Sequence, residues 1–119
     1  MMTIDDVRAL FLEKINQKPK ITTEYGFNGA TIRFYRHAFK KNTVTLTTML
    51  EVLATFGLCL DIKVGIGERL ISLGEAFQNA GKNTHLNLLQ PKAYSVDYML
   101  DFLKKQHESM YVCFIEKKD

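Results

Sequence analysis

The chain has 119 residues, 46% of them hydrophobic, with 16 Lys and Arg against 13 Asp and Glu and a formal net charge of +3. This apolar content excludes an intrinsically disordered chain, and no apolar run approaches the roughly 20 residues that a membrane span needs. The sequence is typical of one compact soluble domain or two very small ones. Asp5 and Asp6 stand where a secretory signal would be basic, so we expect no export segment and a cytoplasmic location.

The N-terminal part of the chain predicts short helices with local start and stop signals. The predicted helices cover residues 4–15, 18–25, 28–39 and 43–56. Thr3 and Asn28 have side chains that can cap the first and third of these helices. Gly26 and Gly57 follow the second and fourth, where glycine can take the left-handed conformation that ends a helix.

The pattern changes after Gly57. Alternating Leu60, Ile62 and Val64 predict a strand over 58–64, and Gly65-Ile66-Gly67 predicts a hinge. The remaining predicted elements are helices over 68–80 and 95–107 and a strand over 110–116. We therefore expect a mainly α protein, with a bundle of short helices in a domain over 1–66 and a small α+β region over 67–119.

Basic residues are concentrated in one stretch. Between Lys14 and Leu50 there are seven basic residues and one acidic residue, a local surplus of +6. From Val64 to Asp119 there are seven of each. A local basic surplus is typical of a nucleic-acid-binding surface, although a solvated helix face is the common alternative.

Two segments carry a motif: GFNGATIRFYRH over 26–37 and TLTTMLEVLATFGLCL over 45–60. Together they resemble the helix-turn-helix domain of the phage Cro and repressor type, the xenobiotic response element family. The similar features are the turn Gly26-Phe27-Asn28, the Thr31-Ile32 pair, and Phe56-Gly57-Leu58-Cys59-Leu60 in place of the closing Leu-Gly-x-x-Leu. The resemblance covers residues 3–62 and implies a lambda-repressor-like bundle that reads DNA with the helix over 28–39.

The second predicted helix departs from this family. Where the family has Ser/Thr-Gln and a central Ala, this chain has Gln17-Lys18 and Thr22. We expect Lys18 or Lys20 to supply a phosphate contact by charge instead.

The helix over 28–39 has two faces that suit a recognition helix. At 100° per residue, Ile32, Tyr35 and Phe39 lie on one buried face, and Arg36 lies at its edge, where it can reach the backbone. Arg33 can donate two hydrogen bonds to a guanine, and Phe34 can contact a thymine methyl. The predicted DNA-binding residues are Asn28, Gly29, Ala30, Thr31, Arg33, Phe34, Arg36, His37, Lys18, Lys20, Lys40, Lys41, Thr43 and Thr45.

Each of these assignments has a structural alternative. Phe34 can instead pack against the C-terminal half, and the two arginines can pair with Glu24 or Glu51. The threonines at positions 43, 45, 47 and 48 can bind a phosphate or simply cap the following helix.

We predict no catalytic, metal or cofactor site. The histidines at 37, 85 and 107 lack the spacing of metal ligands, and Cys59 and Cys113 imply neither a disulfide nor a zinc site. Gly65-Ile66-Gly67 lacks the third glycine of a dinucleotide-binding motif. No Ser or Cys has a base at a recognisable spacing, so we predict that the protein is not an enzyme.

The predicted partners follow from the motif and from the last strand. The strand over 110–116 needs a partner strand, for which residues 58–64 of the same chain or of a second subunit are suitable. We predict a homodimer that binds double-stranded DNA and regulates transcription, with no membrane contact. The alternative is a protein-interaction module: an antitoxin whose C-terminal half binds a toxin, or a degenerate helix-turn-helix kept for assembly.

Overall fold

A computed structural model describes residues 1–17, 24–82 and 94–117. Within them the helices are α1 (Ile4–Ile15), α2 (Gly29–Lys40), α3 (Leu46–Thr55), α4 (Leu73–Lys82) and α5 (Val96–Gln106). The strands are β1 (Leu60–Ile66), β2 (Arg69–Ser72) and β3 (Tyr111–Glu116). Lys18, Lys20 and most of the helix predicted over 18–25 lie outside the described residues. In the described ranges, no helix has both the length and the apolar character needed to cross a bilayer.

The chain divides into two compact units. The helical unit comprises Ile4–Leu60 and the residues after Ile115, and the mixed unit comprises Met1–Thr3 and Asp61–Ile115. The division falls after Leu60 rather than near residue 66, because β1 pairs with β2 and β3 in one sheet. The described helices and the small antiparallel sheet agree with the expected helical and α+β content. The lambda-repressor-like bundle itself stays a prediction.

One stripe of α1 forms the centre of the helical unit. Val7, Phe11 and Ile15, spaced by four residues, are fully buried, as is Leu53 of α3. The Phe11 ring contacts two aromatic rings of α2, with centroids 5.9 Å from Tyr35 and 6.0 Å from Phe39. This spacing places one face of α1 against both later helices.

The caps of α2 and α3 explain where these helices begin and end. The Asn28 Oδ1 accepts a 2.8 Å hydrogen bond from the Thr31 N–H, which confirms the predicted N-cap. α3 begins at Leu46, three residues later than predicted. Asn42 has φ +57 and the Thr43 N–H donates to the Ala38 carbonyl at 2.9 Å, so these residues close α2 in a Schellman motif.

The sheet of the mixed unit has the order β2-β1-β3 and is antiparallel. Ile66 pairs with Arg69, which leaves a two-residue turn, and Gly67 at its first position has φ +62. A positive φ at the first turn position is typical of a type II′ hairpin turn. The predicted hinge at 65–67 is therefore wrong, as is the predicted start of a helix at residue 68, because these residues form the hairpin.

The helices α4 and α5 supply most of the core of the mixed unit. Leu73 and Phe77 of α4 pack with Met99 and Leu103 of α5 around Val64 of β1. The last strand, β3, finds its partner within the chain by pairing with β1. On the other side of β3, Phe114 exchanges two backbone hydrogen bonds with Met2, of 3.0 and 2.8 Å.

Candidate nucleic-acid interface

The two faces of α2 differ as the helical periodicity predicts. Ile32 and Ala38 are buried, and Tyr35 and Phe39 are half-buried against Phe11 of α1. The opposite face is exposed, and it carries Ala30, Arg33, Phe34 and His37. The helix is therefore anchored on one side and open on the other.

Phe34 is the most exposed aromatic residue in the described part of the chain, with 67% of its surface accessible. Among the described rings, its ring contacts only Tyr35, in a T-shaped arrangement with the centroids 5.9 Å apart. Exposing so large an apolar side chain is unfavourable in water, and exposed apolar surface often marks an interaction site.

Arg33 lies beside the start of α2. A Cβ atom placed on Gly29 would stand 3.6 Å from the Arg33 Nη1, so the side chain extends back over the first turn of the helix. In recognition helices, the N-terminal residues are the ones that contact base edges. The exposed Gly29 and Ala30 beside it leave room for a close approach.

The cations of α2 have no acidic partner among the described residues. Arg33, Lys40 and Lys41 are exposed, and no described carboxylate forms an ion pair with them. α2 itself contains no Asp or Glu. The predicted alternative, an ion pair between Arg33 and Glu24 or Glu51, is therefore absent from this structure.

Arg36 makes its hydrogen bonds within the helical unit. Its Nε and Nη2 donate to the carbonyl oxygen of Ile15, at 3.2 and 3.0 Å. Carbonyl groups in the last turn of a helix lack an intrahelical partner, so this fork completes the end of α1. Arg36 thus reaches the backbone from the edge of the buried face and anchors α2 to the end of α1, and its predicted DNA contact stays a prediction.

The predicted polar contacts at the helix ends are used as caps. The Thr43 hydroxyl donates to the Ala38 carbonyl at 3.1 Å, and the Thr45 hydroxyl oxygen accepts from the Thr48 N–H at 3.1 Å. Asn28 uses its side-chain oxygen in the same way at the start of α2. Asn28, Thr43 and Thr45 are all exposed, so capping leaves part of each of these side chains accessible.

Sequence reasoning missed Arg8, which supports the turn after α2. Its Nη2 donates to the Asn42 Oδ1 at 2.8 Å, and its guanidinium carbon lies 5.0 Å from the centre of the Phe39 ring. Arg8 thus holds the left-handed Asn42 through a hydrogen bond and a cation–π contact. Nothing in the local sequence signals a contact across 34 residues.

Among the described residues, no group of three His, Cys, Asp or Glu side chains is placed to hold a metal ion. Comparison of the chain with protein-family models, curated proteins and solved structures finds no significant match.

Proposed function

We propose that the helical unit binds double-stranded DNA and places α2 in the major groove. The observation that carries this proposal is the outward face of α2, which combines the 67% exposed Phe34 with Arg33, a cation that has no acidic partner among the described residues. A helix reads the major groove when one face is anchored in a small core and the other offers donors and apolar groups to base edges. The packing of α2 on α1 supplies the first condition.

The proposed contacts fall into two kinds. Arg33 donates two hydrogen bonds to a guanine, and Phe34 contacts a thymine methyl. Lys40 and Lys41, at the end of α2, attract phosphates, which raises affinity for every sequence alike. On this basis the protein is a sequence-specific regulator of transcription, and a dimer would place two α2 helices about one helical turn apart on a two-fold operator.

The first experiment is fluorescence anisotropy of the whole protein with random duplex DNA at two salt concentrations. We expect a dissociation constant on the order of micromolar that rises steeply with salt. The absence of binding at low salt would contradict the proposal. An operator selected from a random pool and a sedimentation measurement with and without it would then test the dimer.

Variants separate base reading from phosphate attraction. Arg33→Ala should reduce discrimination among sequences, whereas Lys41→Ala should weaken all of them and lower the salt slope by about one. Lys104→Ala removes an exposed cation from α5 and serves as the matched control. If Arg33→Ala bound every DNA like the wild type, the groove assignment would be wrong.

The exposure of Phe34 also favours a second function, binding of a protein partner such as a toxin. Aromatic residues are enriched at the centres of protein interfaces. Two results together would support this second function. The wild-type protein would show no DNA affinity, and a partner would co-purify with the wild type but not with Phe34→Ala.

A further inference from the structure

The mixed unit contains a pocket of about 310 Å³ that the proposed DNA contacts do not use. Its apolar lining comes from two elements. Ala76 and Ala80 lie one turn apart on α4, and Ile66 and Ile71 face them from the β1–β2 hairpin. Because both helix positions carry only a methyl group, space remains between the helix and the hairpin. The volume is at the lower end of the range of about 300–1,000 Å³ that is usual for small-molecule sites.

Polar side chains line the rest of the pocket. They are Arg69 from β2, Asn79 from α4, and Gln106 and His107 from the end of α5. Asn79 and His107 are half-buried, and Arg69 is exposed. None of these four side chains forms a hydrogen bond with another described residue. No described residue therefore uses the side-chain polar atoms of Asn79 and His107, and they are available to a ligand.

The charge of the lining selects the ligand class. Arg69 is a donor only and carries a fixed positive charge, and Asn79, Gln106 and His107 can each donate as well. None of the described residues that line the pocket is a carboxylate, although Glu68 and Glu108 are chain neighbours of Arg69 and His107. A planar carboxylate matches the two-pronged geometry of the guanidinium.

We infer that the mixed unit binds a small organic carboxylate in this pocket. The carboxylate accepts hydrogen bonds from Arg69 and His107, and the apolar body packs on the floor made by Ala76, Ala80 and Ile71. The apolar floor favours an organic acid over an inorganic anion, because water over these groups is released only by an apolar ligand. This inference does not depend on DNA binding.

The test is a titration of the whole protein followed by amide NMR shifts, with benzoate and hexanoate as ring and chain probes. We expect saturable shifts at Ile71, Ala80 and His107 with dissociation constants on the order of millimolar, as suits ligands of this size. Benzamide, which has the same ring without the charge, should bind about tenfold more weakly. Inorganic phosphate should give no saturable shift at Ala80.

Two variants locate the site. Arg69→Gln should lower benzoate affinity about tenfold, whereas Lys104→Gln, which removes a cation from α5 outside the pocket lining, should leave it unchanged. Ala80→Val fills the floor and should block both probes. If Ala80→Val fails to fold, Arg69→Gln still tests the proposed site. The Arg69 side chain is exposed, so this variant should fold. Equal binding of benzoate by wild type and Arg69→Gln, equal binding of benzamide or phosphate, or no saturable shift would overturn the inference.

Discussion

Two arginines three residues apart on α2 have different surroundings. Arg33 points away from the core and has no ionic partner among the described residues, whereas Arg36 donates twice to the Ile15 carbonyl. The sequence predicts which residue is outward and which lies at the edge, because that follows from helical periodicity. It could not predict the Ile15 contact, because the acceptor lies 21 residues away.

Arg36→Ala should destabilise the helical unit. Hydrogen bonds from a charged group contribute about 1.5–3 kcal/mol, and the Ile15 carbonyl would lose both. Arg33→Ala should change the free energy of unfolding by less than about 0.5 kcal/mol, as is usual for surface positions. Urea denaturation of both variants measures the difference. Equal effects would show that Arg36 does not anchor α2.

Gly65→Ala should destabilise the mixed unit through Tyr111. A Cβ atom at position 65 would overlap the Tyr111 ring, which lies over the glycine from the neighbouring strand. Displacing the ring should reduce the free energy of unfolding by about 1–3 kcal/mol. Because Tyr111 is 53% exposed, the ring can be removed, and Gly65→Ala in a Tyr111→Ala background should have a smaller effect. Strictly additive effects in urea denaturation would contradict the contact.

At the scale of elements, the sequence predicts those helices whose boundaries are set by nearby residues. The N-caps Asn28 and Ser95 each accept a hydrogen bond from the N–H three residues on. Gly57, which follows α3, has φ +88, as expected for a residue that ends a helix. These signals are local, so they can be identified without knowing the tertiary structure.

The sequence mispredicts the hairpin because the apolar spacing over 68–73 suits a helix as well as a strand. Two local signals distinguish them. Gly67-Glu68 fits a two-residue hairpin turn, and Ser72 with Glu75 forms the Ser-x-x-Glu pattern of a helix start. In the structure the Ser72 hydroxyl oxygen accepts from the Glu75 N–H at 3.2 Å, so α4 begins at Leu73.

Ser72→Ala should therefore weaken the start of α4. Loss of an N-cap hydrogen bond typically reduces the free energy of unfolding by about 1 kcal/mol. Ser72→Asp keeps an acceptor and is the control, with a loss of no more than a few tenths of a kcal/mol. Thermal or urea unfolding gives both values. A similar loss in the two variants would mean that the cap contributes little.

At the scale of the whole molecule, the candidate sites differ in how far the sequence predicts them. All residues of the exposed α2 face belong to one helix, so the charge distribution and the helical periodicity of the sequence predict it. The carboxylate pocket combines β1, β2, α4 and α5, which are separated along the chain. No local pattern joins Arg69 to His107, and the helix predicted from residue 68 places Arg69 on the wrong element.

Removing Met1–Thr3 should open one edge of β3. The Phe114 N–H donates to the Met2 carbonyl at 2.8 Å, so its amide should exchange with solvent at least about tenfold faster in the shortened chain. The Lys117 N–H, which donates to the Cys59 carbonyl at 2.8 Å, is the control and should be unchanged. Hydrogen exchange followed by NMR gives both rates. Unchanged exchange at Phe114 would show that Met2 does not protect the strand.

The pairing of Met2 with Phe114 has a consequence for synthesis of the protein. During translation, Met2 leaves the ribosome more than a hundred residues ahead of its partner strand, and residues 4–60 are complete long before β3 exists. Until β3 is synthesised, β1 has an unpaired edge, and exposed strand edges pair readily with other chains. A chain whose translation stops before Tyr111 would retain that open edge, so incomplete copies should aggregate or be degraded more readily than full-length protein.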